Sequence, residues 1–197
     1  MTFDQIKTLL QTKTVGIAGC GGLGSNCAVA LARVGIGKLV LADFDILSEN
    51  NLNRQYFFRD QIGQQKTVAL KATLRRIRPE TRVELHTVKL DPSNIPVIFN
   101  PCDVLVEAFD LADQKEMLIE TALNAFPEKP LVVGLGVAGW GRNDLIHCRK
   151  SGNLYICGDE VTEINDELPP LAPRVGIVAN MQANVVMEIL LGSEVAR

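Results

Sequence analysis

The residues with the clearest chemical potential in this sequence are Gly19-Cys-Gly21-Gly22-Leu-Gly24. They fit G-x-G-x-x-G, a spacing in which glycines allow a tight turn and bring backbone N–H groups close to an anion. Apolar patterning predicts a strand just before the turn, over 14–18, and a helix just after it, over 23–34. In that setting the free N–H groups and the positive dipole end of the helix face a phosphate. Asp43 ends a second predicted strand, 38–43, where a carboxylate accepts hydrogen bonds from ribose hydroxyls. Together these residues point to a nucleotide and leave NAD, FAD and ATP open.

The run after Asp43 favours ATP. Phe44-Asp45-Ile-Leu-Ser-Glu-Asn50-Asn51-Leu-Asn53-Arg54-Gln55 holds more amides than a dinucleotide site needs, and an arginine. Arg54 offers a planar fork to phosphate oxygens, and Asn51 and Asn53 offer amide donors. Lys66 falls on the first turn of a helix predicted over 63–78, where it can reach a phosphate as a point charge. Asp110 follows a strand predicted over 103–108, and an acid at the carboxyl end of a parallel strand faces the ligand crevice. Its oxygens suit a hard cation such as Mg. Asp45 reads equally well as a turn cap or a site residue.

The block from Gly19 to Gln55, with Gly-x-Gly-Gly-Leu-Gly-Ser-Asn, Asp-Phe-Asp and Asn-Leu-Asn-Arg-Gln, resembles the ThiF/MoeB/HesA family. The resemblance is closest over 14–70, looser to about 136, and returns over Arg174–Gln182. It implies an ATP-dependent adenylyltransferase, related to the adenylation domains of ubiquitin-activating enzymes, that activates the C-terminal glycine of a ubiquitin-fold sulfur carrier. On that reading the glycine loop (Gly19, Gly21, Gly22 and Gly24), Asp43, Asp45, Asn51, Arg54, Gln55 and Lys66 hold ATP. Arg54, Lys66 and Asp110 serve catalysis, and Asp110 is associated with magnesium. The short form resembles a compact ThiF-like subfamily of thiamine biosynthesis, which implies a ThiS-like carrier, a homodimer and a cytoplasmic setting.

The chain departs from the family pattern in four places. It lacks the two C-x-x-C pairs that hold zinc in many members. The predicted N-terminal helix, 3–11, carries Lys7 but no arginine. Leu111 follows Asp110 where an asparagine is usual, and Lys115 stands where an arginine is usual. These departures keep a second class of function open, a nucleotide-binding docking module that performs no adenylation. A third reading, an NAD-dependent oxidoreductase, lacks an evident catalytic histidine or tyrosine constellation.

Strands alternating with helices must position these residues. Further strands are predicted over 82–88 and 131–135, and a helix over 112–125. This alternation predicts a Rossmann-like, doubly wound α/β fold with a mainly parallel sheet. Short strands at 145–148 and 153–156 predict an antiparallel extension near the C-terminus. A polar, proline-bearing connection over 158–174 and a closing helix over 176–191 complete a single domain, 1–197. The 197 residues are 47% hydrophobic and 22% charged, with a formal net charge of −3. No basic excess points to nucleic acid. No apolar stretch is expected to cross a membrane, and no signal peptide is expected.

Five cysteines without metal-ligand spacing predict free thiols and a reducing compartment. Cys20 reads as a small side chain under the glycine loop, and Cys157 as packing at a strand end. His86 and His147 are isolated. Lys71, Arg75, Arg76 and Arg78 read as a solvated basic helix face. Trp140, between two glycines, is expected to cover the sheet from a turn.

Overall fold

The structure, a computed structural model, describes residues 1–192. Seven strands form one sheet in the order β3-β2-β1-β4-β5-β7-β6. They are β1 (Thr14–Ala18), β2 (Lys38–Ala42), β3 (Arg82–His86), β4 (Val104–Glu107), β5 (Leu131–Leu135), β6 (His147–Ser151) and β7 (Leu154–Gly158). All neighbouring pairs are parallel except β6 with β7. The central strands are mainly apolar, as burial on both faces demands, apart from Lys38 at the start of β2 and Glu107 at the end of β4: β1, β2 and β4 are almost wholly inaccessible. The mainly parallel, doubly wound sheet with an antiparallel extension is therefore the architecture that the sequence predicts.

Helices cover both faces. One core packs α1 (Phe3–Leu10), α2 (Gly22–Val34), α3 (Lys66–Ile77) and α6 (Ala172–Leu191) against the sheet through Leu10, Leu31, Leu70 and Val178. The other packs α4 (Ile95–Phe99) and α5 (Ala112–Ala125) through Ile95, Phe99 and Leu118. Chain order reverses between β1 and β4, which is where open α/β sheets open a ligand crevice at their carboxyl ends.

Several boundaries differ from the sequence reading, for local reasons. Helix α3 starts at Lys66 because Gly63 sits at φ +87° and Gln65 takes an extended N-cap conformation. Helix α6 starts at Ala172, with Pro173 at a first-turn position where its missing N–H costs no bond. The β6–β7 hairpin lies about two residues later, turning at Gly152-Asn153 with Gly152 at φ +59°. Helix α4 has five residues, too few to show a period. Trp140 lies 68% exposed in its turn and does not cover the sheet. By length and composition α6 could cross a membrane, which corrects the reading that no stretch approaches a span. Here its buried face, with Val175, Val178, Ala179 and Val186, belongs to the core shared with α2.

Gly24 fixes how closely α2 meets β1. A Cβ there would lie 1.8 Å from the Gly19 carbonyl oxygen, so only glycine permits the approach. Gly176, in α6, has open space around its missing Cβ. Gly24→Ala is expected to cost about 2 kcal/mol or more in urea unfolding, because backbone must move. Gly176→Ala is expected to be neutral or to stabilise by up to about 1 kcal/mol.

Candidate nucleotide site

A cavity of about 640 Å³ opens at the chain reversal, above the carboxyl ends of β1, β2 and β4. Its wall brings together Gly21 and Gly22 of the glycine turn with Asp43, Arg54, Lys66 and Asp110. Gly19, Asp45 and Gln55 also line it. Gly24 lies beneath the turn, where its role is the close approach to Gly19. Asn51 is not on the wall. Its Oδ1 accepts hydrogen bonds from the Ser48 amide and hydroxyl, so it caps a turn of 3₁₀-helix.

The glycine turn works through its backbone. Gly19, at φ +94°, approaches Ala108 so closely that a Cβ would sit 2.8 Å from the Ala108 oxygen. The N-cap of α2 is Gly21, which offers no side chain to the first N–H groups, and the first turn carries no acid. These donors therefore remain available to an external anion. Ser25 and Asn26, which complete the motif, clamp the next segment in place. The Ser25 hydroxyl donates to the Gly21 carbonyl and accepts from the Tyr56 amide. The Asn26 amide donates to the Gly22 and Arg54 carbonyls. Both residues belong to the motif, but their types and spacing give no signal of this clamping.

The charged residues differ in how free they are. Arg54 donates to the Asn53 side chain at 2.8 Å and to the Asn50 carbonyl, and makes no ion pair with a carboxylate among the described residues. Lys66 is largely buried and donates to Asp45 at 2.6 Å, which leaves two of its three donors unused. Asp45 thus holds the Lys66 ammonium at the cavity wall. Asp43 accepts from the Cys20 and Asp45 amides at 2.6 and 2.7 Å. Burial pushes its carboxyl above the ordinary value, against the pull of those amides and of Lys66. Gln55 is nearly buried, and its Oε1 has no partner among the described residues. A buried, unpaired amide on a cavity wall is suited to a ligand group.

Asp110 projects into the cavity from the turn after β4, and its position rests on an ion pair that the sequence does not reveal. Glu107 is fully buried, accepts from the Phe109 amide at 2.6 Å, and binds Lys115 through both carboxylate oxygens. The third Lys115 donor goes to the Gly134 carbonyl of β5 at 2.8 Å. Lys115 is therefore saturated and offers nothing to a ligand. It ties α5 to the ends of β4 and β5, beside the turn that carries Asp110. The Gln182 amide of α6 adds a bond to the Glu107 carbonyl. Burial raises the Glu107 carboxyl, with Lys115 the main opposing influence.

The donor set suits Mg-ATP. Backbone N–H groups, Arg54 and Lys66 face one cavity. Asp110 supplies one hard oxygen ligand, and Mg commonly takes one or two carboxylates with the rest from phosphate and water. No group of three or more His, Cys, Asp or Glu residues among the described residues forms a metal cage of its own. His86 pairs with Glu84 and His147 with Glu160. Opposite the glycine turn, the segment after β7 contributes Thr162, Glu163 and Ile164 to the wall. It is anchored by a buried ion pair between Asp159 and Arg174 at 2.5 Å.

The ThiF family model matches residues 2–197. The adenylyltransferase and sulfurtransferase MOCS3 of Caenorhabditis briggsae is 31% identical over 188 residues, covering 91% of this chain and 46% of that protein. The molybdopterin-synthase adenylyltransferase of Escherichia coli K12 is 29% identical, with 96% and 77% covered. The chain thus spans less than half of the first relative. Among solved structures, the E. coli tRNA N6-threonylcarbamoyladenosine dehydratase TcdA in complex with AMP superposes with a TM-score of 0.86 at 20% identity. That comparison covers 98% of this chain and 92% of that one, and shows a shared fold.

Lys115→Met would leave the buried Glu107 carboxylate without its counter-charge. Breaking a buried pair in this way costs about 3–5 kcal/mol, so a loss of that order is expected in urea unfolding. Lys115→Arg, which keeps the charge, is expected to retain most of the stability.

Proposed function

The chain belongs to the ThiF family, and from that premise we propose that it binds Mg-ATP in this cavity and transfers AMP to the C-terminal glycine carboxylate of a ThiS-like, ubiquitin-fold sulfur carrier. The observation that carries the proposal is the convergence of the glycine-turn N–H groups, Arg54, Lys66 and Asp110 on one cavity. It is supported by relatives named as adenylyltransferases. A solved structure with this fold is described as TcdA in complex with ATP.

The reaction places modest demands on the protein. A carrier carboxylate oxygen attacks the α-phosphorus, the bond to the β-phosphate oxygen breaks, and pyrophosphate leaves. No nucleophile from the chain is required. The glycine-turn amides hold the phosphates, and Asp43 accepts from the ribose hydroxyls. Arg54 and the two free donors of Lys66 offset charge that builds on the leaving pyrophosphate. Asp45 holds Lys66 in place, as the Ser25 and Asn26 clamps hold Arg54. Asp110 would hold Mg, which when bound neutralises phosphate charge and orients the leaving group. Holding carboxylate and phosphate in line supplies much of the remaining rate.

The proposal extends to a thiamine-related carrier and a homodimer. Relatives carry names tied to molybdopterin synthase and to sulfur transfer, so the carrier is what the decisive experiment must resolve. Purified chain with Mg-ATP should catalyse ATP–pyrophosphate exchange that depends on a ThiS-like protein ending in Gly-Gly. Exchange only with another ubiquitin-fold carrier would keep the chemistry and replace the carrier. ATP binding in a calorimeter without exchange for any carrier would leave a docking module. Arg54→Ala, Lys66→Met and Asp110→Ala are each expected to slow exchange more than tenfold, since each removes a charge-stabilising contact worth about 2 kcal/mol. Wild-type rates in all three would overturn the site assignment.

A further inference from the structure

The β6–β7 hairpin holds two thiols face to face. Cys148 and Cys157 are directly opposite in the antiparallel register, with their Sγ atoms 3.9 Å apart. A two-residue hairpin turn makes Ser151 and Leu154 a hydrogen-bonded pair, and the pairs then alternate, so Cys148 and Cys157 form a non-hydrogen-bonded pair. At such pairs the backbones approach to about 4.5 Å between Cα atoms, inside the span a disulfide bridges. Cys148 is exposed and Cys157 buried, so one thiol meets solution reagents and the other lies behind it. Cys20, Cys27 and Cys102 are buried, and none has a second sulfur within hydrogen-bonding distance among the described residues.

We propose that Cys148 and Cys157 are a reversible dithiol that closes to a disulfide when a low-molecular-weight disulfide, such as oxidised glutathione, accepts the electrons. The Cys148 thiolate attacks one glutathione sulfur. The glutathione S–S bond breaks, and the departing thiolate takes up a proton. Cys157, giving up its proton, attacks the Cys148 sulfur and releases the second glutathione as a thiol. The two cysteines lose two electrons and two protons, and the glutathione disulfide gains both.

The pair has a place from which to act on the cavity. Cys157 lies beside Gly134 of β5, which lines the cavity. Arg149 and His147 of β6 hold Glu160, at the start of the segment that carries Thr162 and Ile164 into the wall. A cross-link would fasten the edge strand that bears this clasp. The same surroundings set the pH response. Burial pushes Cys148 above the ordinary thiol value, and Glu188 of α6 adds to it while the Cys157 thiol opposes it. Cys157 is pushed higher by burial, with Cys148 and Cys27 of α2 adding. Exchange should therefore be slow at neutral pH and quicken as pH rises.

The test is to incubate the full chain with oxidised glutathione at mildly alkaline pH, quench with acid, and count thiols after unfolding. A fall from five thiols to three is expected. Peptide mapping should show a 148–157 link, and dithiothreitol should restore all five. Cys148→Ser, at an exposed position, should abolish the link, and Cys157→Ala should trap glutathione on Cys148. Five remaining thiols, a stable glutathione adduct on Cys148 of the unmodified sequence, or links among Cys20, Cys27 and Cys102 would each overturn the proposal. None of these readouts depends on adenylyl transfer.

Discussion

The site depends on one close backbone approach. Helix α2 can begin immediately above the end of β1 only because Gly24 presents hydrogen to the Gly19 carbonyl, where a methyl group would sit 1.8 Å from oxygen. That contact sets the direction of the helix axis and aims its unpaired N–H groups at the cavity. It also fixes Ser25 and Asn26, which in turn fix the backbone from Arg54 to Tyr56. Arg54 is thus located by side-chain-to-backbone hydrogen bonds from a helix whose placement a glycine permits.

A second set of constraints comes from charge buried under the cavity floor. Glu107 and Lys115 join β4, β5 and α5 at the point where Asp110 leaves the sheet. On the other side of the crevice, Lys66 and Asp45 join α3 to the turn after β2. The two lysines look alike in sequence but differ in availability. Lys115 spends all three donors on protein acceptors, whereas Lys66 spends one. Only the latter retains the capacity to meet a phosphate, and this difference is a matter of counting bonds at each ammonium.

Much of this was legible in the sequence because the signals are local. Apolar runs marked β1, β2, β4 and β5, and the glycine spacing marked the turn that follows β1. Asp43, Lys66 and Asp110 lie at strand ends or helix starts, so their approximate placement followed from the elements, whereas Arg54, in a turn, was marked by the motif around it. What was not legible is non-local. The Glu107–Lys115 and Asp45–Lys66 pairs join separate elements, and no periodicity encodes them. The capping bond of Asn51 was not legible either, because a side-chain cap leaves no pattern distinct from a ligand contact. The hairpin register was missed by two residues because Gly152, at φ +59°, takes the first position of the turn and Asn153 the second.

The exposed strand β6 carries a further consequence for the molecule in a crowded solution. As the last strand of the sheet it leaves one row of N–H and C=O groups without partners, the arrangement that invites a strand from another chain. Every residue of β6 is exposed, and its sequence His-Cys-Arg-Lys-Ser puts two permanent cations at the centre of that edge. A docking strand would have to cover Arg149 and Lys150, at a desolvation cost that main-chain hydrogen bonds do not repay easily. A charged border of this kind disfavours edge-to-edge pairing at β6.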